Sequence, residues 1–292
     1  IILIDLHLVI PIILIGIISC FAMYSTDAGE FGYHTKSHII RLVVFTFVFF
    51  VVSFVRFDFW HKSSYVIYWI ILALLVAVEA FGISSSGSQR WIGLYFINLQ
   101  PSELMKVGLI LFLANYYYKL SSDDVNKIRF LALPLVTIVI PVFFVLSQPD
   151  LGTAILIAAV GLVMLWLVGL NLKYYVYSFI FFLTVAPFAI AFLKPYQKIR
   201  ILTFLNPERD PLGAGYQLIQ SKIAIGSGGL LGKGFLKGSQ SYLDYLPEKH
   251  TDFIFTLFSE EFGFFGSVFL LIVYVLIIQR IIVIANQSKN NF

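Results

Sequence analysis

Long apolar runs recur along this chain, and each is close to the length of a helix that crosses a membrane. Such a helix needs roughly 20 predominantly apolar residues. The runs are continuous rather than alternating, which favours helices over a transmembrane β-barrel. Hydrophobic residues make up 59% of the 292 residues and charged residues only 12%, whereas a soluble domain is about one quarter charged. The sequence therefore predicts an all-α fold, a polytopic transmembrane helix bundle that forms one integral membrane domain over residues 1–292.

Eight runs are long enough to be assigned as membrane spans. They cover approximately Leu6–Tyr24, Ile39–Phe57, Tyr65–Phe81, Leu104–Tyr118, Phe130–Leu146, Leu151–Leu170, Tyr174–Leu193 and Phe253–Ile278. The fourth run is short for a bilayer, and its helix can begin in the preceding segment Leu99–Glu103. Between the seventh and eighth runs lie residues 194–252, the one long segment that is too polar and too rich in glycine to sit in hydrocarbon.

The charges in the short loops predict which side of the membrane each end faces. One set of alternate loops, together with the tail, carries Arg56, Lys62, Lys119, Lys127, Arg129, Lys173, Arg280 and Lys289. Cytoplasmic loops hold the excess of Lys and Arg in membrane proteins, so this set is expected inside. Both termini are then cytoplasmic, and residues 194–252 form an extracytoplasmic loop. The net charge of +4 fits this orientation and contact with anionic membrane lipids, and it does not indicate nucleic acid.

Three charged residues surround the start of the fourth span. Arg90 lies in the connection before it, and Glu103 and Lys106 are three residues apart, so they can pair on one helical face. Ser102, which follows a proline, is a plausible N-cap and would place Glu103 in the first turn, where the helix dipole favours an anion. Glu103 and Lys106 are either an ion pair that carries charge into the membrane, or part of the wall of an active cavity in which Arg90 meets a phosphate.

Asp150 interrupts two apolar runs in the segment Gln148-Pro-Asp-Leu-Gly152, whose proline and glycine predict a tight turn. Two interpretations remain open for this carboxylate. It either caps the sixth span or contacts a substrate or a cation.

The segment 194–252 contains two further features of interest. Arg200 ends a basic and aromatic stretch, which is either an interfacial anchor or a clamp on a diphosphate. Five glycines lie between Gly226 and Gly234. Glycine lets the backbone approach a ligand closely and adopt positive φ, so this stretch is either a binding loop or simply a flexible one.

Asp252 stands where the polar segment meets the eighth span. The dielectric falls at the edge of a membrane, and a carboxylate there can be tuned as a proton acceptor facing a lipid-linked substrate. Asp252 also precedes an apolar helix, as an N-cap does. From the residues alone, both interpretations remain open.

Seven segments resemble, in content and in order, the RodA/FtsW (SEDS) family of bacterial cell-wall proteins. They are Gln89–Trp91, Gln100–Glu103, Gln148–Gly152, Asp210–Tyr216, Ile219–Gly229, Gly238–Ser241 and Leu246–Phe255. Any one of them alone is a weak signal, but together they cover nearly the whole chain. The long loop is more similar to the elongation branch of the family than to the division branch. Family members resemble ten-span proteins, so the last two spans are expected to be absent from this chain.

The resemblance implies a peptidoglycan glycosyltransferase of the bacterial inner membrane, which polymerises lipid II during cell elongation and rod-shape maintenance. It also implies a class B penicillin-binding protein, a transpeptidase, as partner, together with other proteins of the elongation machinery. The essential carboxylate of the family falls on Asp252, and its Glu and Lys fall on Glu103 and Lys106. Further candidate substrate contacts stand in or beside the matching segments at Gln217, Lys222 and His250.

This reaction needs a base on the attacking sugar hydroxyl and positive charge on the diphosphate leaving group. Asp252 is the expected base, and Arg90, Lys106 and Arg200 are the expected partners of the diphosphate. A divalent cation, magnesium or manganese, suits phosphate oxygens with one or two carboxylates.

Two alternatives belong to other functional classes. A lipid II flippase would also have many spans and interior charges, although its polar residues should be spread through the depth of the membrane. A non-catalytic scaffold of the elongation machinery would explain a partner but not the dense polar motifs. The chain contains no phosphate-binding Walker loop, so the sequence does not indicate ATP as an energy source.

Overall fold

The computed structural model describes residues 5–85, 88–94, 97–192, 195–211, 213, 215–239, 245–246, 248–288 and 292. Its elements in chain order are α1 (Leu6–Thr26), α2 (Tyr33–Phe54), α3 (Phe57–Phe81), β1 (Ile83–Ser85), β2 (Ser88–Leu94), β3 (Ile97–Leu99), α4 (Pro101–Tyr118), α5 (Ser122–Val125), α6 (Ile128–Ser147), α7 (Leu151–Leu167), α8 (Leu172–Phe192), α9 (Pro195–Leu205), a short 3-10 helix (Pro207–Arg209), α10 (Tyr216–Gly228) and α11 (Ile254–Gln287). Helices dominate the described chain, which confirms the predicted fold class.

The chain forms two compact units. The first contains Ile1–Phe54 and Ala186–Lys289, and the second contains Val55–Val185 and Asn290–Phe292. The boundaries fall just after α2 and within α8.

Each of the eight predicted spans coincides with a helix, but the helices differ in how well they suit a membrane. Within the described residues, five are long and apolar enough to cross one, namely α1, α2, α3, α6 and α11. The helices α7 and α8 are also apolar but shorter over their described parts. The helix α4 has 18 residues and contains Glu103, Lys106 and Asn115, so its polar side chains lower its hydropathy.

The core of the second unit forms where α3, α4, α6 and α7 pack together. Tyr68, Leu109 and Ile157 are fully buried there. Small residues allow the helices to approach closely, because a Cβ on Gly108 would lie 2.9 Å from the Ile71 side chain. The Tyr68 hydroxyl donates a hydrogen bond of 2.8 Å to the Thr137 carbonyl oxygen. This core fixes the helix ends that carry the polar residues described below.

The positively charged loops that were predicted to be cytoplasmic gather at one end of the second unit. Asn126 accepts from the Asn171 amide at 2.7 Å and from the Tyr174 hydroxyl at 2.7 Å, which joins the loops before α6 and α8. The Asn115 side chain donates to the His61 carbonyl oxygen at 2.9 Å, which brings the start of α3 to the same end. Such a shared charged end is what the positive-inside pattern requires.

In the first unit, α1 packs against both α2 and α11, and α10 packs against α11. The Asp5 carboxylate, at the start of α1, receives hydrogen bonds of 2.8–3.0 Å from the Arg280 guanidinium near the end of α11. The beginning of α1 and the end of α11 therefore lie at one end of this unit.

The turn between α1 and α2 lies at the opposite end of the first unit and is built around Asp27. The Thr35 amide and hydroxyl donate to one Asp27 carboxylate oxygen at 2.8 and 2.6 Å. Partial burial opposes ionisation, but these hydrogen bonds outweigh it and hold the pKa of Asp27 below its usual value. Thr35 is almost completely buried, so the start of α2 is tied firmly to the end of α1.

Two parts of the fold were not anticipated. Residues predicted only as a connection form a small antiparallel sheet in the order β1-β2-β3, whose outer strands have three residues each and are too short to show a periodic pattern. The segment 194–252 contains α9 and α10, although it was described as a polar loop. Turn-rich stretches flank these helices, and for that reason the sequence predicted a loop over the whole segment.

Candidate active site

Asp252 lies in a tight turn over residues 248–253, immediately before α11. The Glu248 carbonyl oxygen accepts hydrogen bonds from the amides of Thr251 and Phe253, both at 3.2 Å. The Thr251 hydroxyl also donates to the Glu248 carboxylate at 3.2 Å. These bonds fix the backbone on both sides of Asp252 without using its side chain.

The Asp252 carboxylate is exposed and makes no hydrogen bond or ion pair with a described residue. It does not cap α11, because Phe253 is the N-cap and the helix has no side-chain cap. Of the two interpretations that the sequence left open, the geometry thus supports a free carboxylate. Such a group can accept a proton from a substrate without first breaking a contact within the protein.

His250 is half-buried beside Asp252 in the same turn. Its imidazole ring packs on that of His34, with ring centroids 4.1 Å apart and an interplanar angle of 34°. His34 lies at the start of α2, where the Asp27 turn holds the helix end. A candidate substrate contact is therefore held by a residue for which the sequence had suggested no role.

The glycine-rich segment packs on the backbone of α11. A Cβ on Gly228 would collide with the Ser259 carbonyl oxygen, and one on Gly232, whose φ is +79°, would collide with that of Glu261. The Lys233 and Gly234 amides donate to the carbonyl oxygens of Glu260 and Glu261, both at 3.0 Å. The close approach that glycine permits is therefore an approach to the backbone of α11. Residues 228–238, called the hairpin below, are an ordered turn on this helix rather than a flexible loop.

This hairpin fills a break in α11 at Gly263, whose φ and ψ of 65° and −161° are not helical. Beyond the break, the amides of Phe264 and Phe265 donate to the carbonyl oxygens of Gly229 and Leu230 at 2.9 and 3.2 Å. An interrupted helix in a membrane has to satisfy its freed backbone groups from elsewhere in the protein. The hairpin does so on both sides of the break.

Two glutamates before the break are buried, and the sequence prediction did not include them. Glu260 is fully buried and forms an ion pair of 2.7 Å with the Lys233 ammonium, which also bonds Ser239 at 2.6 Å. Glu261 accepts from the Ser25 hydroxyl and, at 3.2 Å, from the Leu236 amide. The available signal was a pair of carboxylates inside an otherwise apolar run, which is costly in a membrane and therefore informative.

In the second unit, Arg90 and Asp150 lie together. Their charged groups are 3.4 Å apart, and the Arg90 guanidinium also donates to the Pro149 carbonyl oxygen at 2.8 Å. Asp150 accepts from the Thr153 amide at 3.1 Å and from the Thr153 hydroxyl at 2.9 Å, so it is the N-cap of α7. Both groups are engaged within the protein, and the capping interpretation of Asp150 is realised.

Glu103 and Lys106 form the predicted ion pair on α4, with a separation of 2.8 Å. The predicted cap is wrong. Ser102 is buried inside the helix, Pro101 is its first residue, and Gln100 is the N-cap without a side-chain bond. Proline suits the first helical position because its φ is already helical and its missing N–H is not needed there.

The other predicted contacts lie in the first unit. Gln217 is half-buried in the first turn of α10, and Lys222 is exposed on the same helix. Arg200 belongs to α9, but its side chain lies outside the described residues. The nine predicted site residues thus divide between the units, with Arg90, Glu103, Lys106 and Asp150 in the second and Arg200, Gln217, Lys222, His250 and Asp252 in the first.

The described residues contain no group of three or more His, Cys, Asp or Glu side chains that could hold a metal ion. A cation cage made entirely by protein is therefore not found among them. One exposed carboxylate, Asp252, remains available as a ligand to an ion carried by phosphate oxygens, which is how magnesium is often bound.

Comparison with known proteins adds an independent line of evidence. The family described as "FTSW_RODA_SPOVE: Cell cycle protein" matches residues 1–292. Peptidoglycan glycosyltransferase MrdB of Escherichia coli K12 is 45% identical over 229 residues, which are 77% of this chain and 61% of that protein. Probable peptidoglycan glycosyltransferase FtsW of Buchnera aphidicola subsp. Schizaphis graminum is 36% identical over 269 residues, 90% of this chain and 76% of that protein.

A solved structure is also similar. It concerns the structural coordination of polymerization and crosslinking by a peptidoglycan synthase complex, and one of its chains has a TM-score of 0.82 and 29% identity. The match covers 99% of this chain and 80% of that chain. With respect to the Escherichia coli protein, the chain spans less than two thirds of its relative's length.

Proposed function

This chain belongs to the FtsW/RodA/SpoVE family, and we propose that it acts as a peptidoglycan glycosyltransferase that polymerises lipid II during cell elongation and rod-shape maintenance. The names of its relatives support the activity. The observation that carries the proposal within the chain is the exposed Asp252 carboxylate, which has no partner among the described residues and is held in a fixed turn.

In the proposed reaction, the 4-hydroxyl of a lipid II sugar attacks the anomeric carbon of the growing glycan. Asp252 takes the hydroxyl proton as the new carbon–oxygen bond forms. The bond between the anomeric carbon and the diphosphate breaks, and undecaprenyl diphosphate leaves with the electron pair. An exposed carboxylate with no described partner is suited to the first of these roles.

The leaving diphosphate requires positive charge, for which Arg90, Lys106 and Arg200 are the proposed sources. Arg90 is bound to Asp150 and Pro149, and Lys106 is bound to Glu103. Either cation has to share its hydrogen bonds with phosphate oxygens, or exchange them, when substrate binds. Gln217, Lys222 and His250 are proposed as further substrate contacts.

A divalent cation, magnesium or manganese, is part of the proposal as an ion bound by the diphosphate. When bound it would neutralise phosphate charge. The exposed Asp252 carboxylate is the proposed protein ligand, since the described residues contain no group of three or more His, Cys, Asp or Glu that could hold the ion by themselves.

We further propose that the protein lies in the bacterial inner membrane with both termini in the cytoplasm and Asp252 on the outer side. The gathered charged loops of the second unit support this orientation. A class B penicillin-binding protein is the proposed partner, with other elongation proteins. The similarity to a chain of a peptidoglycan synthase complex supports such an assembly.

Polymerisation by the purified protein tests the proposal. The protein would be supplied with its transpeptidase partner, lipid II and a divalent cation, and glycan polymer would be measured on a gel. We expect polymer from the unaltered protein and none from Asp252→Asn, which keeps the side-chain shape but removes the base. Asp58→Asn is the matched control, because Asp58 is exposed and its ion pair in the described part of the chain is with the exposed Arg56. Full polymerisation by Asp252→Asn would exclude Asp252 as the base, whereas absence of polymer from the unaltered protein would contradict the proposed activity.

A lipid II flippase is the second candidate, and one observation favours it. Interrupted helices with buried ionisable residues are typical of transporters, and α11 has both features at Gly263 and Glu260. Translocation of labelled lipid II in liposomes distinguishes the two functions. Translocation without polymer would favour the flippase, whereas polymer without translocation would favour the transferase.

A further inference from the structure

The contact between His34 and His250 links two segments that are far apart in sequence. The ring centroids are 4.1 Å apart, within the range in which aromatic rings attract one another. Tyr33 also packs edge-on against His34, with its ring centroid 5.4 Å from that of His34. His250 is two residues from Asp252, so the contact lies beside the proposed catalytic base.

His34 is well placed to hold another segment, because its own backbone is fixed. The next residue, Thr35, is almost completely buried and gives two hydrogen bonds to Asp27. Gly32 lies so close to the Asp27 carboxylate that a Cβ there would be 2.6 Å from its carbon. The start of α2 therefore has little freedom to move relative to the end of α1.

The turn that carries Asp252 is shaped by local hydrogen bonds, which run from the amides of Lys249, Thr251 and Phe253 back to Leu246 and Glu248. The His250 ring provides an attachment to α2.

We propose that His34 is a positioning residue, which holds the 248–253 turn through its stack on His250 and thereby places the Asp252 carboxylate. This inference rests on the proposed function. The described contact between His34 and His250 is one between their rings, so the ring of His34 is the feature that the proposal depends on. Any aromatic ring at position 34 should then replace it.

Kinetics of polymerisation give the first test. We expect His34→Ala to lower the maximal rate about tenfold, since small displacements of a reacting group have large effects on rate, while the lipid II concentration for half-maximal rate changes little. His34→Phe should recover most of the rate. His7→Ala is the matched control, because His7 is an exposed histidine in the first turn of α1, at the other end of the unit.

Two kinetic results would overturn the proposal. A normal rate for His34→Ala would show that the stack does not position the base. Equal losses in His34→Ala and His34→Phe, with both variants folded, would show that the imidazole nitrogens act in the chemistry or in substrate binding instead.

A spin label at position 252 gives a second test that does not depend on activity. Cys20 is the one cysteine of the chain, so Cys20→Ala with Asp252→Cys allows a single label. We expect His34→Ala and His250→Ala each to raise label mobility by about the same factor, and the double variant to raise it no further, as for two halves of one contact.

Unchanged mobility in His34→Ala, or additive increases in the double variant, would reject the positioning role even if the protein polymerises lipid II. Conversely, absence of polymer from the unaltered protein would reject the proposed function, while the label would still report whether the stack holds the turn. The two failures are therefore distinguishable.

Discussion

Two aspartates of this protein stand in similar sequence positions, each just before an apolar helix, yet the structure uses them differently. Asp150 caps α7 through Thr153 and lies 3.4 Å from the Arg90 guanidinium. Asp252 precedes α11, caps nothing, and is exposed without a described partner. The Asp150 carboxylate thus stabilises a helix, whereas the Asp252 carboxylate is exposed and can bind a substrate.

The difference arises from where each helix begins. The Asp150 carbonyl oxygen already accepts the first helical hydrogen bond, from Ala154 at 3.1 Å, so its side chain faces the free amides of the first turn. In the other turn, Phe253 holds that place, and Asp252 lies one residue outside the helix. A shift of one residue thus separates a capping carboxylate from an exposed one, and sequence alone rarely resolves such a shift.

The largest expected effect is on the polymerisation rate, and it comes from substitution of Asp252. Asp252→Asn should lower the polymerisation rate by about 10²–10⁴-fold, the usual contribution of a general base. Its free energy of unfolding should change by less than about 0.5 kcal/mol, because no described contact is lost. Polymerisation and unfolding by sodium dodecyl sulfate in mixed micelles measure the two quantities. A large loss of stability would show that Asp252 has a structural role like that of Asp150.

The carboxylate of Glu260 is fully buried, in contrast to that of Asp252, and its ion pair predicts a large effect on stability. Lys233→Ala removes the ammonium that forms an ion pair of 2.7 Å with the fully buried Glu260, and we expect a loss of about 3–5 kcal/mol of stability. The double variant Lys233→Met, Glu260→Gln should recover much of it. Lys237→Ala is the matched control, since Lys237 is exposed in the same hairpin. Little change on Lys233→Ala would indicate that the hairpin is held in the break by its backbone bonds alone.

The structural role of Asp150 predicts a smaller effect on stability. Asp150→Ala should cost about 1–2 kcal/mol through loss of the α7 cap, whereas Asp150→Asn, which can still cap, should cost less. Unfolding in mixed micelles ranks the variants. Equal stability of the Ala and Asn variants would show that the ion pair with Arg90, and not the cap, is the important contact.

The smallest expected effect concerns pH and Asp27. Because its pKa is lower in the folded protein than in the unfolded chain, Asp27 stabilises the fold fully above the unfolded value of about 3.9. That stabilisation is lost as the pH falls through the lowered folded value. Asp27→Asn should therefore destabilise the protein at neutral pH by about 1 kcal/mol or less and reduce its acid sensitivity. Identical pH profiles of unfolding would contradict the assignment.

Much of the fold was predictable because the membrane restricts the choices. Continuous apolar runs specified helices, and the loops before α6 and α8 meet through Asn126 at one end of the second unit. The Glu103–Lys106 pair followed from helical spacing. Family membership followed from seven short segments and is confirmed over residues 1–292.

The features that were missed depend on contacts between segments distant in sequence. The break at Gly263 is stable only because the hairpin supplies its hydrogen bonds. The His34–His250 stack joins positions more than 200 residues apart, and neither histidine has a neighbouring pattern that indicates the other. Local periodicity contains no information on such pairings.

The break at Gly263 also determines how the protein responds to bilayer thickness. An unbroken α11 of 34 residues would be roughly 51 Å long, well beyond the hydrocarbon core of about 30 Å. The part after the break, roughly 36 Å by the same rise per residue, is close to the core thickness. A part that already fits the core needs little tilt to match the bilayer. The residues before the break do not have to span it, and they can hold the buried Glu260 and follow the turn of Asp252.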